Sequence, residues 1–183
     1  MPGRRRGWAL RAGVLVVSAL VTGTVVLALG SRGDLEKAGD RVDVAWAQLR
    51  PGLDERYAAL GRAGDSARER LGDDPALLAD LTSGLERWRD AARQPVEVQA
   101  AMANRLEGFG ARLRTMVEAT PRLRSSEAVA GALADMDRAD PTAARTGYNQ
   151  AVVGYEDVRG GFPRRLVAGA LGFDARRTLE VPA

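Results

Sequence analysis

Three groups of residues have types and spacing that invite chemistry. Tyr148 and Tyr155 stand seven residues apart, which puts two phenolic hydroxyls on one helical face, two turns from each other. Such hydroxyls donate and accept, so they suit backbone groups, acidic side chains or a ligand. Asp135, Asp137 and Asp140 in DMDRAD offer the oxygen donors of a calcium loop. Ser66, Ser83, Ser125 and Ser126 carry hydroxyls that an adjacent base would turn into nucleophiles. Each group lacks a component. The acidic run has neither the glycine nor the terminal glutamate of an EF-hand, so it reads as a solvated acidic face. The chain contains no histidine and no cysteine, which removes imidazole bases, thiol nucleophiles, disulfides, the usual zinc sites and any Glu-x-x-His di-iron centre. A Ser/Lys dyad has only Lys37 to draw on, and no Gly-Lys-Ser/Thr phosphate loop occurs. The residues therefore nominate no catalytic group, no metal ligand and no cofactor site, and the expectation is a protein that is not an enzyme. For the tyrosine pair the expectation is packing within a helical bundle, with the hydroxyls reaching its edge and Asn149 turned away from that seam.

The elements that hold these residues are helical. Ala, Leu, Arg and Glu abound, and aromatics make up only 5% of the chain, a mixture that favours helix over sheet. Apolar residues recur in steps of three and four through Val42, Ala45, Trp46, Leu49, Leu53, Tyr57, Leu60, Ala67 and Leu71, one stripe along a single helix in which Pro51 is expected to cause a kink near residues 47–52. Asp73 or Asp74 with Pro75 opens a second helix, faced by Leu77, Leu78, Leu81, Leu85 and Trp88. Pro95 opens a third through Val117, closed by Pro121. A shorter helix follows around residues 126–139, and Asp140-Pro141 starts the last, running to Gly160 on a face of Ala144, Tyr148, Ala151, Val152, Tyr155 and Val158. Gly160-Gly161 suits a left-handed helix terminus, and the apolar run to Phe173 reads as a flap over the bundle end that could cover a ligand. Glycines inside these helices each cost about 1 kcal/mol against alanine unless closer packing offsets it.

Residues 12–30, AGVLVVSALVTGTVVLALG, carry no charge. At about 1.5 Å per residue they span roughly 28 Å, close to the hydrocarbon core of about 30 Å, and Trp8 falls at the interfacial level. The sequence predicts a transmembrane anchor here, through which the lipid bilayer is a partner. A cleaved signal peptide competes, because Ala28-Leu29-Gly30 resembles a cleavage site, but the run exceeds the usual h-region of about 7 to 15 residues. Arg4, Arg5, Arg6 and Arg11 precede the span, whereas Arg32, Lys37 and Arg41 follow it among acids, so the N-terminus is expected in the cytoplasm and the bundle outside. The net charge of +3 has the same origin: five arginines precede the first acid, Asp34, leaving 22 basic against 24 acidic residues in the body. A near-neutral body argues against nucleic acid as a partner.

Two longer blocks carry a resemblance. VDVAWAQLRPGLDERYAAL, residues 42–60, is similar to the first block of the LemA family, with Val42, Asp43, Ala45, Trp46, Gln48, Arg56 and Tyr57 at its motif positions. Residues 144–173 resemble the second block, with Ala144, Arg145, Tyr148, Asn149, Val152, Tyr155, Phe162, Pro163, Gly172 and Phe173. Ala58 to Arg62 and Arg138 to Pro141 depart from the pattern, so the chain resembles a divergent member. What the resemblance implies is an all-α protein: an N-terminal transmembrane helix followed by an elongated antiparallel four- to five-helix bundle, with the motif residues structural. The expected organisation is a basic flank over 1–11, an anchor over 12–30, the bundle over 34–173 and a tail over 174–183. The expected role is that of a membrane-anchored scaffold of the bacterial cell envelope with a membrane or envelope protein as partner. The alternative is a carrier holding a lipid or other apolar ligand within the bundle.

Overall fold

The computed structural model describes residues 4–71, 76–161, 165, 168–169 and 171–180, with side chains from residue 32 onward. Six α-helices and no strand occur among them: α1 Arg4–Leu71, α2 Ala76–Asp90, α3 Val96–Ala119, α4 Pro121–Arg124, α5 Glu127–Arg138 and α6 Thr142–Gly160, with a 3-10 turn at Ala91–Arg93 after α2. The all-helical class follows. The chain divides into two compact units, one of residues 41–153 with 176–183, the other of residues 1–40 with 154–175.

Prolines set most of the boundaries. Pro95 stands just ahead of α3, and its carbonyl accepts from the Val98 and Gln99 N–H groups at 3.0 and 3.2 Å. Pro121 both ends α3 and begins the single turn of α4, where a missing N–H costs nothing. Ser126 caps α5, its hydroxyl accepting from the Val129 N–H. Pro51, in contrast, lies inside α1, and the helix continues through it. The capping role expected of Asp73, Asp74 and Pro75 falls outside the described residues.

In the larger unit α1 is the element that the others share. Its stripe Val42, Trp46, Leu49, Leu53, Tyr57, Leu60, Ala63 and Ala67 is buried throughout. Trp88 of α2 meets Trp46 and Tyr57 edge-on, with ring centroids 6.3 and 5.0 Å apart. Further along, an added methyl at Gly64 would lie 2.8 Å from Leu81, so α2 runs antiparallel to α1. Helix α3 runs parallel to α1, since Gln99 bonds Trp46 and Glu107 bonds Arg56. Helix α6 is antiparallel again: Tyr148 packs on Trp46 with centroids 5.1 Å apart, and Pro141 approaches Gly52.

Eight of the interior glycines fall into two classes. A methyl at Gly52, Gly61, Gly64 or Gly84 would come within 2.8 to 3.3 Å of a neighbouring side chain, so these glycines permit close helix crossings. Gly108, Gly131, Gly147 and Gly154 meet nothing within 4 Å. Phe109 owes its place to Gly84 on α2, with a ring carbon 3.2 Å from the absent methyl, rather than to the glycines beside it in sequence.

The smaller unit holds a second finding about glycine. Gly160 and Gly161 are not left-handed; α6 carries its ladder to the end, with the Gly161 N–H bonded to the Asp157 carbonyl at 3.2 Å. Among the described residues the left-handed one is Gly172, at φ 77°. There the Phe173 N–H reaches the Ala168 carbonyl at 2.9 Å and the Gly172 N–H the Gly169 carbonyl at 3.4 Å, a Schellman closure. Among the described residues the unit's buried core side chains are Leu35, Ala38, Tyr155 and Ala168. The expected flap, residues 166–173, lies partly on residues 166–167 and 170, outside the described ones. The expected membrane crossing falls on side chains outside the described set as well; the backbone of residues 12–30 belongs to α1, without a break at 31–33. Among the described residues no helix is long and apolar enough to cross a membrane.

Candidate functional site

The two motif blocks converge on a polar layer inside the larger unit. Trp46 donates its indole N–H to the Gln99 side-chain oxygen at 2.9 Å, and Arg50 bonds the same oxygen. The Gln99 amide nitrogen donates to the Gln94 carbonyl at 2.6 Å, beyond the start of α3. Arg50 also lies 4.0 Å over the Trp88 ring, while Trp88 donates its own N–H to Asp54 at 2.8 Å and Arg50 pairs with that carboxylate at 3.1 Å. A guanidinium stacked on an indole and held by a carboxylate is fixed in direction as well as in charge.

One and a half turns along α1 sits a buried ionic group. Arg56 grips Glu107 of α3 with two bonds of 2.9 and 3.0 Å, and gives a third, of 2.7 Å, to the Met136 carbonyl of α5. Arg145 of α6 lies 3.8 Å from the same carboxylate and 3.3 Å from Asp140. Glu107 thus links a residue of the first block to one of the second. The Arg56 guanidinium is held above its ordinary value: burial works against the charge, but the bonds to Glu107 and its field prevail. Beside it Tyr57 donates to the Ala103 carbonyl at 3.2 Å, and burial, aided by the Glu107 charge, pushes its hydroxyl well above the usual phenol.

The tyrosines and asparagine of the second block grip the main chain after α6. Tyr148 donates to the Arg177 carbonyl at 2.8 Å. Asn149 makes a paired contact with Leu179, donating to its carbonyl at 3.0 Å and accepting from its N–H at 2.8 Å. Asn104 of α3 does likewise, donating to Thr178 at 3.1 Å and accepting from Glu180 at 2.9 Å. Arg176 pairs with Asp43 at 3.2 Å and with Glu97, and Leu179 is buried. Burial pushes the Tyr148 hydroxyl upward too, against the field of Arg176. In the smaller unit Tyr155 donates to the Asp174 carbonyl at 2.8 Å, and Arg159 to the Phe173 carbonyl at 3.0 Å.

The remaining motif positions have plainer roles. Val42 and Val152 are core, Ala45 and Ala144 are half-buried, and Gln48 is exposed. Phe162 and Pro163 lie outside the described residues. Asn149 does not point away from the seam as expected; it binds the tail. The acidic run is engaged: Asp135 with Arg62 and Arg138, Asp137 with Arg114, Asp140 with Arg145. The two arginines hold the Asp135 carboxyl below its usual range. Among the described residues no group of three acidic side chains is placed to hold a metal ion.

Gln99, Asn104 and Glu107 are polar members of this site that neither motif block contains. Gln99, Ala103 and Glu107 recur at four-residue intervals on the buried face of α3, so polar residues in register with an apolar stripe were the available signal. The arrangement as a whole consists of neutral donors on carbonyls and paired charges, and among the described residues no buried side-chain polar atom lacks a partner.

No curated protein and no solved structure matches the chain. The family model for the LemA family matches residues 65–183, well over half of the sequence, taking in the second block and the tail and starting beyond the first block. Trp46 and Arg56 nevertheless pack directly on that matched region, through Tyr148 and Glu107. With that match, the chain belongs to the LemA family.

Proposed function

We propose that this LemA family protein is a non-enzymatic, membrane-tethered interaction domain of the cell envelope. Residues 12–30 anchor it in the bilayer with the N-terminus in the cytoplasm, and the bundle outside docks a membrane or envelope protein. The observation that carries this reading is where the motif's polar groups spend their bonds. Trp46, Arg56, Tyr57, Arg145, Tyr148 and Asn149 all bind other parts of the same chain, so they build a scaffold rather than line a cleft. The anchor reading rests on the uncharged run and its basic flank.

Two experiments test it. A photo-crosslinking amino acid at the exposed Val44 or Val153 in living cells should give discrete protein adducts that recur between preparations. Irreproducible adducts at both positions would refute docking. For orientation, a single cysteine replacing the exposed Ser83, in a chain with none of its own, should react with an impermeant maleimide in intact cells. Labelling only after lysis would place the bundle in the cytosol.

A further inference from the structure

Helix α3 is apolar on two faces. One faces the core through Ala103, Leu106 and Leu113. The other, Val98, Ala101 and Met102, follows the same helical steps and lines an open groove beside α2, with Gly84 and Leu106 in its floor. The groove has a volume of about 440 Å³, within the range of small-molecule sites. Val98 leaves 39% of its surface in solvent there, and Ala101 is exposed.

The rim is cationic. Arg87 comes from α2, Arg105 from α3 and Arg177 from the tail. Among the described residues none of the three has a carboxylate within ion-pair distance: Arg87 bonds the Ser83 carbonyl of its own helix at 3.0 Å, and Arg105 lies 5.8 Å from the Phe109 ring centre. Glu97, the acid at the groove, is already paired with Arg176. Guanidinium forks match carboxylate and phosphate oxygens, and beside an apolar surface such bonds are less screened than in open water.

An apolar trough beneath uncompensated guanidinium groups is the complement of one kind of molecule. We propose that the α2–α3 groove binds a single-chain anionic amphiphile, a fatty acid or an acidic lysophospholipid. Its chain lies along Val98, Met102 and Leu106, and its head lies among Arg87, Arg105 and Arg177. This site is separate from the polar layer and does not rest on the docking role; either can fail alone.

The test uses the full chain in nanodiscs of zwitterionic phosphatidylcholine, irradiated with palmitate carrying a photoreactive group in its chain. Adducts should map to residues 98–106, and excess palmitate should displace them whereas a cationic surfactant of equal chain length should not. Arg87→Glu with Arg105→Glu should cut labelling at least about tenfold, as should Ala101→Trp, which fills the trough from an exposed position. Circular dichroism of each variant checks that it is folded, and the pair Arg87→Gln with Arg105→Gln should give an intermediate loss. A parallel run with photoreactive lysophosphatidylglycerol separates a phosphate head from a carboxylate: stronger labelling by either names the source. Absence of adducts on 98–106, equal displacement by the cation, or labelling unchanged in folded variants would overturn the proposal. So would labelling there by a photoreactive acidic amphipathic helix but by neither amphiphile.

Discussion

Glu107→Ala is the sharpest perturbation of this fold. The carboxylate is 7% exposed and sits between Arg56, 12% exposed, and Arg145, 7% exposed. Its removal leaves two guanidinium groups out of water without their common partner. Removing one member of a buried ion pair costs about 3 to 5 kcal/mol. Arg145 would keep Asp140 at 3.3 Å and Arg56 the Met136 carbonyl at 2.7 Å, which places the loss at the lower end, about 3 kcal/mol. For a chain of this size each kcal/mol moves the midpoint by roughly 2 to 4 °C, so Tm should fall by about 6 to 12 °C. Thermal melts of the full chain in nanodiscs, followed by far-UV circular dichroism, read that shift. The triple replacement Arg56→Met, Glu107→Leu, Arg145→Met removes the charges together and should recover most of the loss, because apolar groups of similar volume need no compensation. A loss below about 1 kcal/mol for Glu107→Ala would refute the claim that this group is desolvated and mutually dependent.

Other consequences can be measured on the same footing. Gly131→Ala and Gly147→Ala, at open helical sites, should each stabilise by about 0.5 to 1 kcal/mol, whereas Gly52→Ala should destabilise, because the rigid Pro141 ring would lie 2.8 Å away; chemical denaturation distinguishes the signs. Raised Tyr57 and Tyr148 hydroxyls mean that the unfolded chain releases their protons from about pH 10 while the folded chain retains them. Stability is therefore unaffected by these groups below pH 10 and falls as pH rises from there towards their folded values; an ultraviolet titration should show tyrosinate appearing together with unfolding. Asn104→Ala with Asn149→Ala should free the tail, seen as faster amide exchange at Leu179 and Glu180, whose N–H groups those side chains hold.

Much of the fold was legible because its punctuation is local. Pro95, Pro121 and Pro141 constrain the backbone wherever they occur, and the Val42-to-Ala67 stripe repeats at a period that only a helix satisfies. The polar layer was half legible. Trp46, Arg56, Arg145 and Tyr148 were singled out by resemblance, but what they bind was not, because Gln99 and Glu107 are set by how α3 lies on α1, a long-range fact. Asn149 was misread for a related reason: its partner is irregular main chain, which carries no periodicity. Gly160-Gly161 looked like a left-handed stop, yet a glycine permits that conformation without requiring it, and Gly172 is the residue that uses it.

The ion pair between Asp43 and Arg176 joins residues 133 apart in sequence. During synthesis at about 5 to 20 residues per second, the first-made helix would wait roughly 7 to 27 s for its last partner to exist. Helix α2 arrives early and shields the Trp46–Tyr57 side of α1 through Trp88, but the side that Tyr148 covers has no local substitute. The newborn chain therefore passes through an interval in which apolar surface on α1 is open to chaperones, or to another nascent copy. Completion is a matter of timing as much as of affinity.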